Sequence, residues 1–159
     1  MQARLKNPAA ILSDAMQPLI ALGKLAFNSK IPAKTLGLVH VRVSQINSCA
    51  ACLDMHHSQD KATAAKGGEV DDRLLFVSAW REHPAFTEAE RAALALAEAE
   101  TRLADRTDAV PDEVWNEAAR HYDERALATL VLHIGMVNLY NRLNVTTKQV
   151  PGAQVPLVT

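Results

Sequence analysis

Apolar positions recur every three to four residues along most of the chain, the period of helices that bury one face. Leu12, Met16, Leu19, Ile20, Gly23 and Phe27 form such a stripe and predict a helix over residues 9–28. Residues 32–46 open with Pro32 and continue through Leu36, Val39, Val41 and Val43. The alternation Val39-His40-Val41-Arg42-Val43 also fits a strand, but the neighbouring pattern favours helix. A third helix is predicted from Ser48, a candidate cap, to about Lys66, before the stop Gly67-Gly68. Residues 70–82 read as a shorter helix ended by His83-Pro84. Thr87 with Glu90 three residues on is a capping box at the head of "TEAERAALALAEAETRLAD". Pro111 suits the first position of a helix over 111–121, and Asp123 caps a last one running to about Leu143. The predicted fold class is all-α.

The final helix, "ERALATLVLHIGMVNLYNRL", is apolar around most of its circumference. Such a helix is central to the core or shared with another subunit, and the second reading predicts a homo-oligomer. Asn138 and Asn141 are out of place in an apolar stripe; once buried they need partners, which a subunit interface could supply. After residue 145 the segment 146–159 has prolines and no helical period, so it is read as an extended tail on a helical domain spanning 1–145. Charge is nearly balanced, 17 Lys+Arg against 18 Asp+Glu, which argues against a nucleic-acid partner. No apolar run approaches the roughly 18–20 residues of a membrane span. Asp14, Gln17 and Pro18 interrupt any signal-peptide core, so a soluble, cytoplasmic protein is expected.

The chemistry gathers in "SQINSCAACLDMHHS", residues 44–58. The chain's 2 cysteines stand three residues apart. Linking them closes so small a loop that little unfolded-state entropy is removed, so they make a poor structural staple. With Cys49 at a helix start, Cys52 and His56 fall about 60° and about 20° from it, on one narrow stripe. Cys49 gains from the helix terminus and Cys52 from an imidazole one turn on; either effect raises the thiolate fraction. Zinc ligation by Cys49, Cys52, His56 and His57 would draw all four ligands from one helix, with His57 about 100° from His56, unlike structural zinc sites. An inert buried pair is the other alternative. A redox-active dithiol is the favoured reading, and no metal is expected.

The segment "VRVSQINSCAACLDMHHSQDKATAAKGG", then "LLFVSAWREHPAFTEAERAALALAEAETRL" and "NLYNRLNV", resembles the alkylhydroperoxidase D-like branch of the carboxymuconolactone decarboxylase family. The resemblance covers roughly residues 10–145. It implies an all-helical homo-oligomer, a trimer or hexamer, and a thiol peroxidase that needs no cofactor. By that resemblance Cys52 attacks the hydroperoxide, Cys49 resolves the sulfenic acid to a disulfide, and His56 serves the proton relay. An external dithiol, a lipoylated or thioredoxin-like protein, would then reduce the disulfide. The residues themselves leave the order of attack open. Two positions depart from the family pattern. Its usual glutamate, twelve residues before the first cysteine, is Gly37, and the histidine before the second cysteine of the best-known peroxidases is Ala51. His40, one turn beyond Gly37, is a candidate substitute in the relay, against a plain packing role.

Decarboxylase chemistry of the wider family is an alternative, though its usual branch does not depend on a CxxC pair. A non-enzymatic thiol redox sensor is another. Among the remaining residues, His57 reads as solvated, His133 as a satisfied core histidine, Trp80 and Trp115 as core or interface anchors, and the acids of 88–100 as a solvated face.

Overall fold

The computed structural model describes residues 2–27 and 29–152; the side chain of Phe27 lies outside the described set. Among these described residues the regular structure is helical throughout. It comprises α1 (Pro8–Ile11), α2 (Ser13–Phe27), α3 (Ala33–Ile46), α4 (Ala50–Ala65), α5 (Glu88–Thr101), α6 (Asp112–His121) and α7 (Glu124–Thr146). The β-branched run of residues 39–43 is helical, as its flanks predicted. Val39, Val41 and Val43 are all buried, because α3 is enclosed on two sides. One side meets Leu96, Leu130, Ile134 and Val137 of the main core, and the other meets Val77, Trp80, Phe86 and Leu94.

Several boundaries differ from the expectation, each for a local reason. The chain turns at Leu12, which splits the first predicted helix and leaves that leucine 63% exposed rather than in the buried stripe. Residues 70–82 form two 3₁₀ turns, Asp72–Leu75 and Val77–Ala79, instead of an α-helix. Their inward residues Leu74, Val77 and Trp80 are spaced by three, the period of a 3₁₀ turn. Arg91 of α5 then donates to the carbonyls of Trp80, Arg81, His83 and Phe86, which no longer have helical partners. Pro111 is the residue before α6 rather than its first. The capping box of Thr87 and Glu90 and the Asp123 cap form as predicted.

The acids of 88–100 are not all solvated. Glu90 binds Arg73, and Glu98 receives Arg42, Arg81, Arg102 and the Trp80 indole N–H. Burial works to raise the pKa of Glu98, but its hydrogen bonds from Arg81, Trp80 and Arg42 prevail and hold it at about 2. Trp80 is a core residue, whereas Trp115 is 41% exposed and anchors nothing in the core.

One face of α7 lies in the core, so the helix is central to the fold; Val131, Leu132 and Leu139 remain on its outer side. Beyond α7, the Thr147 carbonyl accepts the Arg4 N–H, and Gln149 reaches the Leu5 carbonyl. Residues 153–159 of the predicted tail lie outside the described residues. No helix among the described residues is long and apolar enough to cross a membrane.

Candidate active site

The dithiol sits on the tight joint between α3 and α4. At the end of α3, Ser48 N–H bonds to the Gln45 carbonyl and Cys49 N–H to the Ser44 carbonyl. That pair of bonds is a Schellman motif, and it places Ser48 in the left-handed region at φ 53°. Ser48 is therefore not a helix cap; Cys49 takes that position, without a side-chain capping bond. Cys52 follows on the first turn of α4, its N–H bonded to the Cys49 carbonyl. The two cysteines form a disulfide with a Cα–Cα distance of 5.3 Å. Both are buried, at 1% exposure.

The sulfur of Cys52 receives two amide N–H groups from α7, Asn141 Nδ2 at 3.1 Å and Asn144 Nδ2 at 3.3 Å. Asn138 donates to Thr101 and the Ile134 carbonyl, and Asn47 bridges Asn138 and Asn141. The partners of these buried asparagines are thus intramolecular, where the sequence suggested a subunit interface. The signal was present in "NLYNRLN", whose three-residue spacing sets Asn138, Asn141 and Asn144 along one helical face. Nothing in the sequence said that the face meets Cys52.

His56 lies one turn beyond Cys52, its side chain 14% exposed and its Nδ1 3.4 Å from Asp60. His40 of α3 stands beside it, ring centroids 5.4 Å apart, and His133 of α7 lies 6.3 Å from His40. Burial first, then the proximity of His56 and His133, pushes the pKa of His40 down to about 3. Burial lowers His133 to about 4, against the opposing hydrogen bond to the Leu36 carbonyl. Both rings are therefore neutral near pH 7. His133 must use Nε2–H for that carbonyl, which leaves Nδ1 a bare acceptor without a partner among the described residues. His57 is exposed and stands apart from this group.

His40, His56 and His133 all line a cavity of about 400 Å³, with Leu36, Met55 and Met136 among its apolar wall. Gly37 lines it too, directly against His56: a β-carbon there would lie 3.2 Å from His56 Nε2. Neither sulfur is among the lining residues. The structure thus sets His40 and His56 side by side on the cavity and joins Cys49 to Cys52, one turn before His56, away from its wall. No group of three or more His, Cys, Asp or Glu among the described residues is placed to hold a metal ion.

Residues 13–99 match the carboxymuconolactone decarboxylase family. The Bacillus subtilis (strain 168) protein YdfG, itself uncharacterized, is 36% identical over 135 residues, 85% of this chain and 88% of its own length. A solved protein of unknown function from Agrobacterium tumefaciens, suggested to be the antioxidant defence protein AhpD, superposes with a TM-score of 0.80. It is 29% identical, across 96% of this chain and 100% of its own. The debrominase Bmp8 has a TM-score of 0.71 at 21% identity, over 91% of this chain and 74% of its own, a likeness of fold alone. With an all-helical fold, a CxxC pair at a helix start and these matches, the chain belongs to the carboxymuconolactone decarboxylase family, in its alkylhydroperoxidase D-like branch.

Proposed function

We propose that the chain is a dithiol oxidoreductase that reduces hydroperoxides, cycling between a Cys49–Cys52 dithiol and disulfide. The observation that carries this reading is the joined pair at the start of α4, with His56 one turn along and a cavity against that histidine. In the reduced state the Cys52 thiolate attacks the terminal oxygen of the hydroperoxide. The O–O bond breaks, the alkoxide takes a proton by way of His56 and leaves as an alcohol, and Cys52 becomes a sulfenic acid. The Cys49 thiolate then attacks Cys52, water departs, and the disulfide forms. An external dithiol, of lipoyl or thioredoxin-like type, returns both thiols by exchange.

His40 enters this scheme as a neutral ring. An imidazole is neutral or positive and so cannot supply the negative charge of a carboxylate at position 37; kept neutral by its lowered pKa of about 3, His40 can only pass a proton or orient His56. The exposed apolar residues of α7 favour a homo-oligomer, and the family resemblance is what implies a trimer or hexamer.

Stopped-flow peroxide consumption with wild type, Cys49→Ser and Cys52→Ser, combined with sulfenic acid trapping, tests the scheme. The expected sulfenate forms in Cys49→Ser and not in Cys52→Ser; the opposite pattern reverses the two roles. If neither thiol outpaces a free cysteine, the peroxidase reading fails. The joined Cys49–Cys52 pair also fits one second reading, a redox sensor, which needs only the change between dithiol and disulfide. A sensor oxidises once per dithiol, whereas the enzyme turns over while reductant lasts.

A further inference from the structure

We propose that Asn141 and Asn144 form a neutral thiolate-holding pair that makes Cys52 the sulfur released whenever the Cys49–Cys52 disulfide is opened. This rests on the dithiol reading above but not on hydroperoxide as the oxidant. Two amide N–H groups point at one sulfur, and the direction of each amide is set by backbone groups some distance away.

For Asn144 the chain of bonds starts at the head of α1. The Ala9 backbone N–H can only donate, and it bonds to Asn7 Oδ1 at 2.9 Å, which fixes the Asn7 amide. Asn7 Nδ2 must then donate to Asn144 Oδ1, also at 2.9 Å, and Asn144 is left with its N–H toward Cys52. For Asn141 the anchor is the Ile134 carbonyl, which can only accept. It takes Asn138 Nδ2 at 3.0 Å, so Asn138 Oδ1 faces Asn47, where Arg142 also reaches it. Asn47 Nδ2 donates to the oxygens of both Asn138 and Asn141, each at 2.9 Å. That turns Asn141 Nδ2 to Ser44 Oγ and to the sulfur. Asn141 is fully buried and Asn144 nearly so, at 0% and 4% exposure, so water does not compete for these donors.

A thiol sulfur is a weak acceptor, while a thiolate is charged and accepts strongly, so fixed N–H donors favour the thiolate. Cys49 has no such partner among the hydrogen bonds of the described residues; Asn141 and Asn144 meet Cys52 alone. The asymmetry decides how the disulfide opens. The thiolate of the external dithiol attacks Cys49 Sγ and bonds to it, the S–S bond breaks, and its electron pair leaves on Cys52 as a thiolate held by the two amides. The second thiol of the reductant, deprotonated, attacks its own sulfur in the mixed disulfide. Cys49 departs as a thiolate and takes a proton. The lower the pKa of the leaving sulfur, the faster it leaves. Asn7 acts through Asn144 and is a positioning residue.

The test titrates Cys52 in the Cys49→Ser chain by ultraviolet thiolate absorbance against pH. The expected pKa lies below the ordinary thiol value of about 8.5. Asn141→Ala or Asn144→Ala should each raise it by about one unit, the size of one hydrogen bond to a charged group. Asn7→Ser keeps a good cap for α1 but is too short to reach Asn144, so it too should raise the pKa if the amide relay operates. A purely structural cap would leave the titration unmoved. Should buried Asn141→Ala fail to fold, Asn144→Ala and Asn7→Ser carry the same readout from the other anchor. In parallel, the wild-type disulfide is opened with a single-thiol reductant, the free cysteine is alkylated, and the adduct is mapped by mass spectrometry. Mixed disulfide on Cys49 is the expected product. Mixed disulfide on Cys52, or an unshifted pKa in folded Asn144→Ala, overturns the proposal. A low Cys52 pKa in a chain that consumes no peroxide would sink the peroxidase reading and leave this one standing.

Discussion

A β-carbon at position 37 would stand 3.2 Å from His56 Nε2, tighter than an ordinary contact, so the ring would have to shift by a few tenths of an ångström. Gly37 also sits inside α3, where glycine costs about 0.8–1 kcal/mol relative to alanine. Gly37→Ala should therefore leave the fold as stable as wild type or up to about 1 kcal/mol more stable in denaturant titration. Its peroxide consumption should nonetheless slow several-fold, because His56 is displaced from the cavity it lines. A variant that is more stable and equally fast would remove the Gly37–His56 contact from the chemistry. The missing glutamate was legible in the sequence. What fills its neighbourhood was legible only in part: His40 stands one turn along the same helix and was a candidate, whereas His133, 6.3 Å from His40, comes from α7.

Among the elements, the joint between α3 and α4 determines where the sulfurs lie. Ser48 adopts a left-handed conformation at the position where Schellman motifs use glycine, and a non-glycine residue there costs roughly 1 kcal/mol. Ser48→Gly is expected to raise stability by about 0.5–1 kcal/mol, read as a shift in the denaturant midpoint with an unchanged slope. The corresponding joint at the end of α4 already uses glycine, with Gly67 at φ 82°. Helix type and order were legible because the periodic stripes are long. The exception was residues 70–82, where a spacing of three suits a 3₁₀ turn and the deciding partner, Arg91, lies on another helix.

For the molecule as a whole, buried titratable groups set opposing pH dependences. Glu100 is pushed up by burial to about 7 from 4.5, and its Oε2 has no hydrogen-bond partner among the described residues. The folded chain holds that proton more tightly than the unfolded one, so stability declines as pH rises from about 4.5 to 7. His40 and His133 act the other way. Their pKa values, lowered from 6.5 to about 3 and about 4, mean that stability is lost as pH falls below 6.5. Glu100→Gln should melt at a higher temperature than wild type near about pH 8 and at an equal one near about pH 4. A melting temperature unchanged at both would mean that Glu100 is paired in solution, as contact with another copy of the chain would allow.

The sequence by itself determined the helical class, most helix boundaries and the setting of His56 one turn beyond Cys52 on a single helix. These depend on spacings of a few residues, and helical geometry converts such spacings directly into direction. Tertiary structure decided the rest of the site. That Asn141 and Asn144 meet Cys52, and that His40 and His133 stand as neutral rings near His56, depends on α3, α4 and α7 packing together. Hydrogen bonds between residues about ninety positions apart leave no periodic trace. They exist only because burial denies those amides water and supplies them with each other.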